Sequence, residues 1–283
     1  MKEVKAIFLD MDGTILHENN RTSAETACVI RKLRASGYRV FLATGRAYEE
    51  IYLLIPKDLE FDGIISSNGT LGHIGNRVLF EHDLSESAVN TIVQSAQKEG
   101  IYYEVFPFKA PRFALTEDQA WMLALVQGEK PQQVAESEWL SRHEAIKGKL
   151  TWRQHVPTGM GYSKIYLFHP ELNKIEAFRN QMLAQVETLK IEVSNSTQNN
   201  IETMKYGINK GTAIKEMCAY FNIDISETLV IGDSDNDRSM FEVGKVTVAM
   251  KNAKQHIKTR TMYETDFDNN EDGAAKFLES HLL

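Results

Sequence analysis

Cysteine is almost missing from this chain: Cys28 and Cys218 are the two present in 283 residues. Each falls within an amphipathic helical pattern, so a disulfide framework is not expected, and both read as buried apolar thiols in a reducing compartment. An excess of basic charge is also missing. With 32 Lys and Arg against 39 Asp and Glu the net charge is −7, which argues against a nucleic-acid or anionic-membrane surface, since such partners need a basic face that displaces counterions. No stretch reaches the ~18 uninterrupted apolar residues of a membrane span. The opening MKEVKAIFLDMDGT is broken by Asp10 and has no small-residue cleavage pattern, so it is not read as a signal peptide. The expected location is cytoplasmic. The eight histidines form no HxH or HExxH spacing, which disfavours a zinc site. Internal repeats and low-complexity tracts are absent too.

What remains is ordinary globular composition, 42% hydrophobic and 25% charged. Residues 4–9, 39–43, 63–66, 228–231 and 246–249 are short, mostly apolar runs rich in β-branched residues and bounded by Gly, Asp or Asn. They read as buried strands of a parallel sheet. Between the first two, Thr22 and Glu25 have capping-box spacing and Gly37 stands where a left-handed helix stop belongs, giving one βαβ unit. A second helix starts near Lys210, with Ala213, Ile214, Met217, Cys218 and Phe221 on one face, and feeds the strand at Thr228.

This β–α alternation stops near residue 80 and resumes near 200. The intervening residues have helical patterns at 86–99 and 171–187, strand-like runs at 101–106 and 164–168, and most of the aromatics. The expectation is a doubly wound, Rossmann-like α/β core of residues 1–83 and 193–283 carrying an inserted mixed α/β domain at 84–192.

The chemistry collects at strand ends. Strand 4–9 runs directly into Asp10, Met11, Asp12, Gly13 and Thr14; strand 39–43 into Thr44, Gly45 and Arg46; strand 228–231 into Gly232, Asp233, Ser234, Asp235, Asn236 and Asp237. In a parallel sheet such ends share the carboxyl edge, where ligands bind. Asp10, Asp12, Asp233 and Asp237 would crowd there, and a like-charge pair ~4 Å apart costs several kcal/mol at an effective dielectric near 20. Positive charge must sit among them. Lys210 supplies one, and an all-oxygen carboxylate set points to a hard divalent cation, magnesium before calcium or zinc.

The ordered motifs FLDMDGT, ATGR, the Lys of GINKG and GDSDND, with a large insert between the second and third, resemble the haloacid dehalogenase superfamily. Within it they are similar to the Cof-type phosphatases, which carry a large α/β cap at that place. The resemblance implies a phosphoric monoester hydrolase acting on a small phosphorylated metabolite. In it Asp10 is the nucleophile that forms an aspartyl-phosphate, and Asp12 the acid that protonates the leaving oxygen and later activates water. It further implies Mg2+ held by the Asp10 side chain, the Asp12 carbonyl and Asp233, with Asp237 supporting. The Met11 amide, Thr44, Gly45, Lys210 and Asn236 become the phosphate cradle. A true dehalogenase needs no acid at position 12; a phosphomutase, or a sensor that kept the fold, stays as the alternative. No nucleic acid, membrane or obligate protein partner is implied.

Other features carry less. Arg46 has two readings of equal weight, substrate contact or a salt bridge that locks its loop. Asn68 and Gly69 in SSNGT read as a turn opening a hairpin into Arg77–Glu81, in preference to a site segment. The aromatics of the insert read as its own core, the acidic run Glu264–Asp272 as a solvated loop, and Arg238 as a departure from the aliphatic residue usual after the last motif.

Overall fold

The computed structural model describes residues 3–283. Its contacts divide the chain into two units, one of residues up to Glu81 together with Ile208–Leu283, the other His82–Gly207. In chain order the first unit supplies β1 (Ala6–Leu9), β2 (Arg39–Ala43), β3 (Gly63–Ser66), β4 (Leu71–Ile74) and β5 (Arg77–Glu81). The second supplies β6 (Tyr102–Pro107), β7 (Phe113–Leu115), β8 (Thr151–Arg153), β9 (Tyr162–Phe168), β10 (Ile191–Ser194) and β11 (Asn200–Lys205). The chain then returns to the first unit for β12 (Thr228–Gly232), β13 (Val246–Ala249) and β14 (Tyr263–Glu264).

The first unit is one sheet in the order β14-β13-β12-β1-β2-β3-β4-β5, parallel as far as β3 and antiparallel at β4 and β5. Successive side chains on a strand point to opposite faces. Ile7, Leu9, Val40, Leu42, Leu229 and Ile231 therefore pack with helices Ala24–Ala35 and Gly273–Leu282 on one side. Ala6, Phe8, Phe41 and Val230 pack with helix Lys210–Phe221 on the other. Both faces are covered, which is why these strands read as continuous apolar runs rather than alternating ones. The strand order reverses direction between β1 and β12, and at this switch point the crevice of a doubly wound sheet opens.

Two local expectations change. Helix Ala24–Ala35 is capped by Ser23, whose hydroxyl accepts from the Thr26 amide, one residue later than the Thr22 and Glu25 spacing suggested. Cys28 is exposed, not buried, because the inward face of that helix is Thr26, Ala27, Val29, Ile30 and Leu33. Cys218 is buried, and desolvation pushes its thiol up to about 12. The acidic run is not wholly solvated either. Asp272 Oδ1 lies 2.9 Å from His17 Nε2 and accepts from Ser23 Oγ at 2.6 Å and Thr26 Oγ1 at 2.9 Å, tying the last helix to the start of the first. Asp272→Ala leaves three partly buried donors without this acceptor, and a loss of about 2 kcal/mol is expected, read as a lowered urea midpoint.

The second unit is a six-stranded mixed sheet in the order β10-β11-β9-β6-β7-β8. Helices Glu86–Glu99 and Leu172–Ala184 pack on it through Val89, Ile92, Val93 and Ala96, and through Ile175, Phe178 and Met182. The second crossing between the units falls at Gly207–Ile208 rather than near 193. The reason is pairing: β10 joins β11, and β11 hydrogen-bonds to β9, so the chain completes this sheet before it leaves. Tyr102, Tyr103, Phe106, Phe113 and Trp139 are buried within this unit's residues, as expected of core aromatics, whereas Phe108, Trp121 and Trp152 are half-buried. The unit also buries a charge, Glu104, which receives Arg142, Arg112 at 2.8 Å and the Tyr102 hydroxyl at 2.8 Å. Burial alone would raise its pKa, but the two guanidinium groups outweigh it and hold the carboxyl below its usual range. No helix among the described residues is long and apolar enough to cross a membrane.

Candidate active site

Two of the site's carboxylates stand one step beyond a strand. Asp10 follows β1 and Asp233 follows β12, neighbours whose Leu9 and Ile231 are in register, so the two carboxylates flank the switch point. Lys210 opens helix Lys210–Phe221, whose N-cap Asn209 accepts from the Thr212 amide while Thr212 accepts from the Asn209 amide. That box fixes the helix start and with it the lysine. Lys210 is fully buried and donates to Asp10 Oδ1 at 2.5 Å and to Asp237 Oδ1 at 2.7 Å. The other oxygen of Asp237 accepts from the amides of Asp233 and Ser234 at 2.9 and 3.0 Å. Asp237 is thus held from both ends, and it carries the loop that carries Asp233.

Oxygens of Asp10, Asp233 and Asp237 all lie within 4.8 Å of one another. One buried lysine faces three carboxylates, and the electrostatics show the imbalance. Burial, then the Asp237 charge, push Asp10 up to about 7 despite Lys210. Burial and the charges of Asp10 and Asp237 hold Asp233 well above the carboxylate range. Burial would lower the Lys210 pKa, but its two carboxylate partners more than offset this and raise it. Asp233 Oδ1 is buried and has no hydrogen-bond partner among the described residues. An orphaned carboxylate oxygen beside a second buried carboxylate, in an all-oxygen donor set, fits a hard divalent cation.

Space explains the glycines. Gly13 has φ +72°, and a Cβ there would lie 2.4 Å from Asp233 Oδ2. A Cβ at Gly232 would lie 2.5 Å from the Asp237 carboxyl. Any side chain at either place would displace a carboxylate of the site.

The remaining expected residues are spread around this centre. Thr44 is buried, its hydroxyl accepting from the Arg46 amide at 3.1 Å. Gly45 lies between them in the same loop. The Met11 side chain is in the sheet core, leaving its backbone as the part at the strand end. Asp12 is turned to Arg46, with Nε at 2.8 and 3.0 Å from its two oxygens and Nη2 at 2.5 Å from Oδ1. The salt bridge named for Arg46 is present, and its partner is Asp12. Arg238 is exposed at the start of helix Arg238–Val243.

Asn68 was read as a turn residue, and it is one, but it also reaches the site. Its Oδ1 accepts from Asn236 Nδ2 at 3.2 Å and its amide donates to the Thr44 carbonyl at 3.0 Å, so it ties the β2 loop to the β12 loop. Ser67, Asn68 and Gly69 all have positive φ, at 49°, 57° and 105°. A Cβ at Gly69 would lie 2.3 Å from the Asn209 carbonyl oxygen, the cap of the lysine helix. The signal available in SSNGT was the Asn-Gly pair, which tolerates left-handed backbone; that a buried turn would stand against two other loops was not in it.

With these strand-end carboxylates, the buried lysine and the inserted second sheet in place, a family model for haloacid dehalogenase-like hydrolases matches residues 7–278. The chain belongs to the haloacid dehalogenase-like hydrolase family. Among the relatives of this hydrolase are the 5-amino-6-(5-phospho-D-ribitylamino)uracil phosphatase YwtE of Bacillus subtilis, 25% identical over 99% of this chain and 98% of the relative. Another is the phosphatase YwpJ of the same organism, 27% identical over 99% and 100%. A solved haloacid dehalogenase-like hydrolase from B. subtilis superposes with a TM-score of 0.82 at 25% identity, covering 99% and 100% of the two chains. The subclass IIB sugar phosphatase BT4131 shares the fold, with a TM-score of 0.72 at 22% identity over 98% of each chain.

Proposed function

We propose that this hydrolase is a magnesium-dependent phosphatase that cleaves a phosphate monoester of a small metabolite through an aspartyl-phosphate on Asp10. The observation that carries the reading is the buried Lys210 bridging Asp10 and Asp237, with the orphaned Asp233 oxygen alongside. Phosphoryl transfer asks a protein mainly for positioning and for neutralisation of charge on the moving group. Both are supplied here by residues fixed through strand ends and a helix cap.

An oxygen of Asp10 attacks phosphorus, the bond to the ester oxygen breaks, and Asp12 gives its proton to that leaving oxygen. Asp12 then takes a proton from water as the water oxygen attacks phosphorus; the bond to Asp10 breaks and inorganic phosphate leaves. Lys210 holds Asp10 in place and offsets charge on the phosphoryl oxygens, while Thr44, the amides of Met11 and Gly45, and Asn236 cradle them. Asp10, the Asp12 carbonyl and Asp233 would hold Mg2+, with Asp237 bracing Asp233 through its amide. When bound, the cation would neutralise the crowded carboxylates and the phosphate ester. Selection of the leaving group falls, on this reading, to residues of the second unit. The two free cysteines and the acidic net charge agree with a cytoplasmic enzyme of small metabolites.

A panel of sugar phosphates, nucleotides, pyridoxal phosphate and flavin mononucleotide should include compounds from which phosphate is released with magnesium and not with excess chelator. Release that is indifferent to chelation, or none from any compound, would overturn the proposal.

A further inference from the structure

Asp12 is asked to move a proton, yet its carboxylate is fully engaged. The Arg46 fork spans both oxygens, and its Nη2 also donates to Asn20 Oδ1 at 3.1 Å. The two partners are not equally free. The Arg46 backbone is fastened on both sides, its amide to Thr44 Oγ1 at 3.1 Å and its carbonyl to the Ser67 amide at 2.8 Å. Its side chain is 18% exposed, whereas that of Asp12 is 50% exposed and stands beside the left-handed Gly13. Asn20, itself at φ +58°, accepts from the same Nη2 that reaches Asp12.

A protonated carboxyl offers a guanidinium fork a poorer pair of acceptors than a carboxylate does, because one oxygen then carries hydrogen and the charge is gone. The clamp therefore suits the resting carboxylate and not the carboxyl that proton transfer requires. The Asp12 end of the pair is half exposed, which leaves that end free to exchange, and a phosphate ester is an anion that a guanidinium fork also fits.

We propose that Arg46 is a positioning residue that exchanges Asp12 for the phosphate group: it parks Asp12 before substrate enters, and Asp12 swings free when phosphate takes its place on the guanidinium. This rests on the phosphatase reading for its purpose, though not for its test. Without the exchange Asp12 would have no reason to leave its partner; with it, proton transfer is coupled to occupation of the site.

The measurement is a double-mutant cycle on the affinity for orthophosphate with magnesium present, by calorimetry, in wild type, D12N, R46Q and D12N/R46Q, each checked for a native circular dichroism spectrum. Released from its carboxylate, Arg46 should bind phosphate roughly three- to tenfold more tightly in D12N, and R46Q should weaken binding about tenfold. The gain from D12N should vanish in the R46Q background. R46K, which keeps the charge without the fork, should fall between wild type and R46Q. An equal gain from D12N in both backgrounds would mean that Asp12 acts only as a repelling charge, and would overturn the exchange; so would an R46Q affinity equal to wild type. A wild-type protein that binds phosphate with the expected coupling but hydrolyses no ester would leave the exchange standing and remove the phosphatase reading instead.

Discussion

Asp10→Asn is expected to lower kcat by on the order of 10⁴-fold or more, since removal of a nucleophile ends the covalent route altogether. KM should change little, because the amide keeps the volume and the Lys210 contact. The check is phosphate release under substrate saturation beside wild type, with a substrate chosen from those the panel identifies. Retained activity would mean that Asp10 does not carry the phosphoryl group. The same variant separates catalysis from stability. In the metal-free protein the Asp10 carboxyl is raised from 3.8 to about 7, by burial first and then by Asp237. A carboxyl raised on folding costs nothing below its unfolded value and opposes folding increasingly as pH rises through its folded value. Metal-free wild type should therefore lose stability between pH 4 and pH 7, and Asp10→Asn should lose less. Magnesium should restore wild type most at the upper end of that range. Thermal melts in chelator and in magnesium across that range read all three.

Lys210→Met is expected to be worse for the fold than Asp10→Asn and less damaging to turnover. Lys210 is the buried cation between Asp10 and Asp237. Its removal leaves two buried carboxylates facing each other beside Asp233, and breaking a buried charge network in this way costs about 3–5 kcal/mol. Methionine keeps most of the aliphatic volume, so lost packing is not the cause. In the reaction the phosphoryl oxygens lose a fixed positive partner, for which a fall in kcat of about 10²–10³ is expected. Urea unfolding and steady-state kinetics give the two numbers. The double change Lys210→Met with Asp237→Asn should recover part of the stability, as one of the two stranded charges is gone, and none of the activity.

The contrast between Asp12 and Asp237 shows where the chemistry of a motif leaves off and its geometry begins. Both are aspartates in loops that follow strands of the same edge, yet Asp237 is fully buried and held through both oxygens, while Asp12 is half exposed and held, among the described residues, by Arg46. The first arrangement suits a brace and the second a group that has to move. Nothing in residue type separates them.

Much of the molecule was legible in the sequence by itself. Strands β1, β2, β3, β12 and β13 were marked because burial on both faces demands unbroken apolar runs, and the helix at Lys210 because its apolar residues recur on one face. The carboxylates were marked because strand ends of a parallel sheet converge, and Lys210 because their crowding calls for positive charge. Tertiary structure alone decided the rest. The second sheet continues through β10 and β11 to Lys205 because pairing with β9 is a long-range contact with no local sign. Asp272, in a run that read as solvated, is held by residues some 250 positions away. Asn68 looked like a turn because its backbone preference is local, whereas its bonds to Asn236 and Thr44 join loops that only the folded sheet brings together.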